Sequence, residues 1–193
     1  MKNNLNEKDI ENLNKWAEKY DIERLKIKDK EKIFNLEELH ITSHNLTELP
    51  KEIGNLTNLK SLIIRCFNLK ELPKEIFNLL NLEELHINSH NLTELPKEIG
   101  NLTNLKSLII KCFYLKELPK EIFNLINLEK LRIISNNLEI SPYGIEKLIN
   151  LENLYIDINI INENFNFKSL PIEEIGKLNN LKYLRICIRK EEK

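Results

Sequence analysis

Four histidines supply a residue type suited to metal binding, and they fall in two identical pairs. His40 and His44 lie four residues apart, and His86 and His90 repeat that spacing. Two histidines four residues apart on one face of a helix can both bind zinc. The surrounding pattern instead predicts a strand and its following turn, where four residues span roughly 13 Å. We therefore expect no metal site here, and no cofactor.

Composition and charge exclude several classes of protein. The 193 residues are 41% hydrophobic and 31% charged, yet the net charge is only −1. This balance gives no general electrostatic reason to bind nucleic acid or an anionic membrane, and we expect neither as a partner. No apolar run approaches the length of about 18 residues typical of a membrane span, and residues 1–13 lack the apolar centre of a secretory signal. We expect a cytoplasmic monomer, with delivery to a host cell left open.

A fixed 23-residue period organises most of the chain. The segment 82–104 repeats 36–58 with one change, and 59–81 and 105–127 form a second closely matching pair. Apolar residues fall at positions 1, 4, 6, 11, 14, 18 and 21 of each unit. Positions 4 and 6 should face inward from a short strand, and Leu-Pro-Lys-Glu-Ile should begin a helical turn with proline at its first position. One unit cannot bury seven apolar side chains alone, so the units must stack.

The three cysteines could in principle act as nucleophiles or form a disulfide. Cys66 and Cys112 occupy the same position two units apart, so their strands should be roughly 10 Å from each other, which is too far for a disulfide. No histidine shares a unit with Cys66, Cys112 or Cys187. No Ser-His-Asp set, phosphate-binding loop or carboxylate pair in a cleft is indicated either. We expect reduced thiols and no enzymatic activity.

The repeated pattern L-x-x-L-x-I-x-x-x-x-L-x-x-L-P-x-x-I-x-x-L-x-x resembles the 23-residue leucine-rich repeat with its Leu-Pro-x-x-Ile signature, of the bacterial or intracellular type. The match is close over residues 36–150 and looser elsewhere. The resemblance implies an α/β solenoid, a curved horseshoe with parallel strands on its concave face and short helical or 3₁₀ turns on its convex face. It also implies a non-enzymatic module that binds a protein or peptide through the concave face.

Two asparagine positions distinguish this chain from the family pattern. Position 9, where family members usually carry Asn, is His44, Phe67, His90 and Phe113 before Asn returns at Asn136 and Asn159. Histidine could donate to the turn backbone but phenylalanine cannot, so we expect that ladder to be interrupted. Position 23 is Asn in every unit, and we interpret it as a structural ladder rather than a binding site. Its members are Asn35, Asn58, Asn81, Asn104, Asn127, Asn150 and Asn180.

Two further positions alternate and indicate a 46-residue building block. Position 2 reads Glu37, Lys60, Glu83, Lys106 and Glu129, so neighbouring strands should place opposite charges side by side. Position 19 reads Gly54, Phe77, Gly100 and Phe123, so we expect the rings to lie over the glycines.

Residues 1–35 are predicted to form an N-terminal cap, and residues 36–193 the solenoid, together making a single domain. Ile10, Leu13, Trp16 and Tyr20 recur at the spacing of one helix face, and Asn6 is a suitable N-cap. The segment 22–27 repeats the apolar spacing that begins each unit, which predicts a truncated first repeat with its own strand.

Positions 3, 5 and 7 of each strand should face away from the core and form the concave surface. A mixture of Tyr, Arg and apolar residues there suits a protein interface. We expect specificity in the irregular part after residue 128. The candidate partner-binding residues are His40, Ile63, Arg65, His86, Ile109, Lys111, Arg132, Tyr155, Asp157 and Arg185.

Alternatives remain at this point. Phe165 and Phe167 fall outside the repeat frame, where they either pack on the flank or offer a second binding surface. The chain could be the substrate-recognition arm of a larger effector enzyme such as a ubiquitin ligase, although these 193 residues have no room for that second domain. It could also bind carbohydrate or a cell surface, which usually goes with a signal peptide and more concave aromatics than Tyr155 and Tyr183.

Overall fold

In the part of the chain that the structure describes, seven parallel strands, paired in sequence order, form one open sheet. The computed structural model describes residues 5–136, 138–139, 144–160 and 171–190. The strands are β1 Glu38–Thr42, β2 Ser61–Arg65, β3 Glu84–Ser89, β4 Ser107–Cys112, β5 Lys130–Asn136, β6 Asn153–Ile160 and β7 Tyr183–Lys190. The helices are α1 Glu7–Tyr20, α2 Lys30–Phe34 and α3 Ile172–Ile175. The 3₁₀ turns are Glu23–Leu25, Lys51–Asn55, Lys74–Asn78, Lys97–Asn101, Lys120–Asn124 and Ile145–Lys147.

The core lies between the sheet and the 3₁₀ turns. Leu62 and Ile64, at positions 4 and 6 of β2, are fully buried and are in register with Leu85 and Ile87 of β3. The same two positions point inward from β1 to β6, as the alternation predicted. The predicted solenoid, with parallel strands and short turns, is confirmed.

The prolines sit one residue earlier than predicted. Pro50 precedes its 3₁₀ turn as the N-cap, in an extended conformation with φ −71° and ψ 138°, and its carbonyl accepts the N–H of Ile53 at 3.2 Å. Pro73, Pro96 and Pro119 do the same. A proline here loses no hydrogen bond, because the first donors of a helical turn have no partner within it.

Helix α1 covers the first strand's end of the core, as predicted. Its N-terminus is a capping box, in which the Asn6 side chain accepts the Asp9 N–H at 2.9 Å and the Asp9 carboxylate accepts the Asn6 N–H at 3.1 Å. Leu13 and Ala17 are fully buried. Trp16 is only partly buried and packs against the same core, so the covering surface is mainly aliphatic.

The strand predicted within residues 22–27 was wrong. The segment Glu23–Leu25 is a 3₁₀ turn, and Asp29 then caps α2 by accepting the N–H groups of Glu31 and Lys32. Ile22 and Leu25 are buried, so the apolar spacing was read correctly as inward-facing. The spacing alone did not specify a strand because a tight turn followed by a capped helix can bury the same residues.

The glycines at position 19 have a different partner from the predicted one. A Cβ at Gly54 would collide with the backbone carbonyl of Glu75, and at Gly100 it would lie 2.7 Å from the Glu121 carbonyl oxygen. Glycine is therefore required because the next 3₁₀ turn approaches closely. An aromatic ring covers a glycine elsewhere: the Phe123 ring fills the space beside Gly144, which stands at position 17 of the following unit.

Neighbouring repeats satisfy each other's polar backbone groups. Asn58 Nδ2 donates to the Phe34 carbonyl at 3.0 Å and Asn104 Nδ2 to the Leu80 carbonyl at 2.8 Å. The side chains of four more position-23 asparagines donate one repeat back in the same way: Asn81, Asn127, Asn150 and Asn180. The predicted structural ladder is confirmed. It links repeats rather than closing each local turn.

At position 9 a stack of rings replaces the asparagine ladder. The ring centroids of His44, Phe67, His90 and Phe113 follow one another at 5.3, 4.7 and 4.7 Å. The preceding position supplies hydrogen bonds instead, because the Ser89 hydroxyl donates to the Leu69 carbonyl at 2.7 Å. Ser135 bonds the Leu115 carbonyl in the same way at 2.9 Å, and its hydroxyl also lies 2.6 Å from the Cys112 carbonyl. The expected interruption is thus compensated by serine and aromatic packing.

At the other end, β7 forms the last strand of the described sheet. Leu184 is 48% exposed although it occupies the inward position 4. Among the described residues no further strand pairs with β7. Phe165 and Phe167 lie outside the described residues, so both interpretations of that segment remain predictions.

Replacing Gly54 by Ala should lower the free energy of unfolding, because the new methyl group would force the 3₁₀ turns of two repeats apart. We expect a loss of about 1–3 kcal/mol, the usual range for overpacking. Urea unfolding followed by circular dichroism measures it.

The matched control is Gly176→Ala. Gly176 has φ −62°, and the atom nearest to its added Cβ is 3.3 Å away. Its unfolding free energy should change little. Equal effects of the two substitutions would contradict the role assigned to Gly54.

The concave face as the candidate binding site

Strand pairing aligns the predicted concave residues in rows. The central row runs in register through β1 to β7 as His40, Ile63, His86, Ile109, Arg132, Tyr155 and Arg185. The row beside it runs as Thr42, Arg65, Asn88, Lys111, Ile134, Asp157 and Cys187. All ten candidate residues therefore lie on one continuous surface, spread over its full length rather than gathered at one point.

An aromatic ring between two guanidinium groups marks the C-terminal part of this surface. The Arg132 guanidinium carbon lies 4.4 Å from the Tyr155 ring centroid, and that of Arg185 lies 5.5 Å from it. The arginines come from β5 and β7, the strands on either side of Tyr155 on β6. Such cation–π contacts orient long side chains that would otherwise be mobile.

Asp157 differs from the other candidates because it is buried and already paired. It is 5% exposed, and its two carboxylate oxygens accept hydrogen bonds from Arg189 Nη2 at 2.6 and 2.7 Å. The Tyr155 hydroxyl donates to the same carboxylate at 3.1 Å. Asp157 thus supports the surface and positions Tyr155.

Arg189 was not among the predicted residues. It is in register with Asn159, the position where the family places asparagine, and its Nε donates to Asn159 Oδ1 at 3.1 Å. A signal existed in the sequence: an acid at position 7 of one strand and an arginine two residues further along the next strand can meet.

Rim lysines form ion pairs with glutamates, whereas the described residues give the concave lysines and arginines no such partner. On the rim, at position 2, Lys60 lies 3.0 Å from Glu37, and Lys106 lies 2.7 Å from Glu83. Opposite charges therefore meet there within each 46-residue pair, as predicted. On the concave face, the described residues place no carboxylate within ion-pair distance of Arg65, Lys111, Lys130, Arg132 or Arg185.

The surroundings of His86 shift the pKa of its imidazole. Burial lowers its pKa, and the nearby charges of Lys130, Arg65 and Lys111 lower it further, against the opposing effect of Glu84. Its Nε2 lies 3.1 Å from Glu84 Oε1 but forms no hydrogen bond, so the contact is electrostatic only. The neutral form is therefore favoured in the folded protein.

One histidine of each pair serves packing. His44 and His90 belong to the ring stack, whereas His40 and His86 lie on β1 and β3 with β2 between them. Within the described ranges no group of three or more His, Cys, Asp or Glu side chains is placed to hold a metal ion.

The cysteines at position 8 are buried thiols. Cys66 and Cys112 are free and fully buried, and burial raises the pKa of Cys66 to about 11 and that of Cys112 to about 12. At these values the nucleophilic thiolate is scarce near neutral pH. Cys187 is also free and partly exposed.

A sequence model described as the leucine-rich repeat region matches residues 12–91 and 79–193. The matches span most of the chain, so this protein belongs to the leucine-rich repeat family. A search of curated proteins gives no match. In the part of the chain that the structure describes, no helix is long and apolar enough to cross a membrane.

Solved structures of the same fold include bacterial and plant proteins. A leucine-rich repeat protein of Leptospira interrogans is 29% identical, with a TM-score of 0.55, over 84% of this chain and 46% of that one. The leucine-rich repeat domain of the type III effector XopL is 26% identical, with a TM-score of 0.58, over 79% and 52%. The ectodomain of a membrane receptor kinase from Arabidopsis thaliana, in complex with Casparian strip integrity factor 2, is 27% identical, with a TM-score of 0.56, over 77% and 18%. The chain thus spans about half or less of each of these structures.

The lowered pKa of His86 predicts that folding stability falls on mild acidification. The unfolded chain takes up a proton below about pH 6.5 and the folded protein resists it, so the free energy of unfolding should decrease as the pH falls from 7 toward 5. His86→Gln should flatten this part of the pH dependence, measured by urea unfolding at each pH.

The control is His40→Gln, at the equivalent position of β1, where the side chain is exposed. If His86→Gln keeps the wild-type pH dependence, His86 does not contribute to it.

Proposed function

We propose that this protein is a non-enzymatic recognition module that binds another protein or a peptide through its concave face. The observation that carries the proposal is the Arg132–Tyr155–Arg185 arrangement on the central row. Tyr and Arg are the residue types enriched where interfaces gain most of their binding energy. Here they stand toward the C-terminal end of a surface built by the seven described strands.

The scaffold favours binding because its side chains are already positioned. The strands hold the central row in fixed register, and the Tyr155 hydroxyl is fixed by Asp157. On binding, the partner would lose conformational freedom, but the module would lose little. This difference improves affinity for a given contact area.

The proposal also covers the domain organisation, the oligomeric state and the compartment. We propose that residues 1–35 act as a cap on the solenoid of residues 36–193, and that the module works as a monomer without a cofactor. Three free cysteines support a reducing compartment such as the cytoplasm.

A second candidate function is the recognition part of a larger effector. The similarity to the leucine-rich repeat domain of a type III effector favours it. In both cases the concave face would contact the partner, so the same variants test it.

Replacing Arg132 and Tyr155 together by Ala should abolish capture of the proteins that the wild type retains from its native cell extract. Both substitutions leave the inward-facing core intact, so the loss of stability should be about 1 kcal/mol and the melting temperature should fall by only about 2–4 °C. Quantitative mass spectrometry of the retained proteins measures the first effect, and a thermal scan the second.

The control variant is Tyr114→Ala with Lys116→Ala, which removes an exposed tyrosine and an exposed lysine from a turn outside the strands. It should retain the same proteins as the wild type. Undiminished capture by the Arg132 and Tyr155 variant would place the binding site elsewhere on the molecule.

A further inference from the structure

We propose that the partner presents an acidic segment, whose carboxylates bind the cations of the concave face. This inference rests on the proposed function, because it assumes that the concave face is the binding site. The cations form one set, here called the cationic track, consisting of Arg65, Lys111, Lys130, Arg132 and Arg185.

The cationic track is unusual for a chain whose net charge is only −1. Four of its five members lie on β4, β5 and β7. The acid in the two rows on this part of the face is Asp157, and Arg189 already neutralises it, because its Nη2 donates to both carboxylate oxygens. The C-terminal part of the concave face therefore carries an uncompensated positive charge.

The described residues leave the track without acceptors of opposite charge. Arg132 Nε is buried and has no hydrogen-bond partner, while Arg185 Nε donates to the Cys187 sulfur at 3.2 Å, a weak acceptor. The rim behaves in the opposite way, since Lys60, Lys106 and Lys182 each contact a glutamate there. The chain thus pairs its rim cations internally and leaves those of the track available to a ligand.

Stacking prepares the arginines for carboxylates. A guanidinium group that packs over a ring uses its face, so the N–H groups at its edge remain available for a bidentate bond to a carboxylate. Arg132 and Arg185 both lie over Tyr155. Two carboxylates of one ligand could bind on either side of this tyrosine.

The length of the cationic track determines how many residues of an extended acidic peptide can contact it. From β2, which carries Arg65, to β7, which carries Arg185, there are five strand spacings, or roughly 24 Å at about 4.8 Å each. An extended peptide rises about 3.4 Å per residue, so about seven residues would cover that distance. The predicted ligand is an extended stretch of this length, rich in Asp and Glu.

Nucleic acid fits the track less well than an acidic peptide. Single-stranded nucleic acids bind where bases can stack on successive open rings. Tyr155 has an arginine on each side, which leaves Tyr183 as the exposed ring of the neighbouring strand.

The test is selection from a phage-displayed library of random dodecapeptides against the whole protein, followed by binding of the selected peptides in solution by fluorescence anisotropy. The track variant is Arg132→Gln with Arg185→Gln. The control is Lys74→Gln with Lys97→Gln, which removes the same charge from exposed positions on the 3₁₀ turns. A labelled deoxythymidine dodecanucleotide is measured alongside.

The expected result is enrichment of peptides rich in Asp and Glu, which bind the track variant at least tenfold more weakly than the wild type and bind the control variant equally well. Their Asn and Gln analogues should not bind. Enrichment of uncharged or basic peptides that still lose binding in the track variant would overturn the acidic partner but leave the concave site standing. Peptides that bind the track variant unchanged would count against both proposals. An absence of enriched peptides, or tighter binding of the oligonucleotide, would also overturn the inference.

Discussion

Burial of one repeat by the next is the constraint on which the whole molecule depends. Leu62 and Ile64 are fully buried because β1 and β3 flank β2 on both sides. Leu184, at the same inward position of β7, is 48% exposed because β6 alone flanks it among the described strands. Stability in such an array is a sum of repeat and nearest-neighbour contributions. The straight register that aligns the concave rows is a consequence of the same stacking.

Stacking also determines how polar groups are satisfied. The position-23 asparagines bond carbonyl groups one repeat back, and the serines Ser89 and Ser135 bond the turn before them. The ring stack of His44, Phe67, His90 and Phe113 occupies the position where an asparagine would otherwise bond. Backbone groups without water must find a partner, so a repeat that loses one ladder needs another. Here the serine hydroxyls supply hydrogen bonds, and the rings fill the space at position 9.

The rim and the concave face of the sheet treat their charges differently. Rim lysines lie beside glutamates of the neighbouring repeat, where each exposed pair adds little to stability but favours the correct register. Concave cations have no such partner among the described residues, and Tyr155 orders two of them. The acidic partner proposed above would supply the carboxylates that these cations lack.

The sequence by itself determined the repeat length, the inward positions and the membership of each concave row, because strand alternation and a constant period leave little freedom. It failed at residues 22–27, where buried Ile22 and Leu25 fit a turn as well as a strand. Tertiary structure alone decided several of the contacts between neighbouring repeats. The approach of Glu75 to Gly54, the Arg189 pairing of Asp157 and the placement of two arginines around Tyr155 all join residues of different repeats. Such contacts depend on the exact distance between stacked turns, which the spacing of residues within one repeat does not specify.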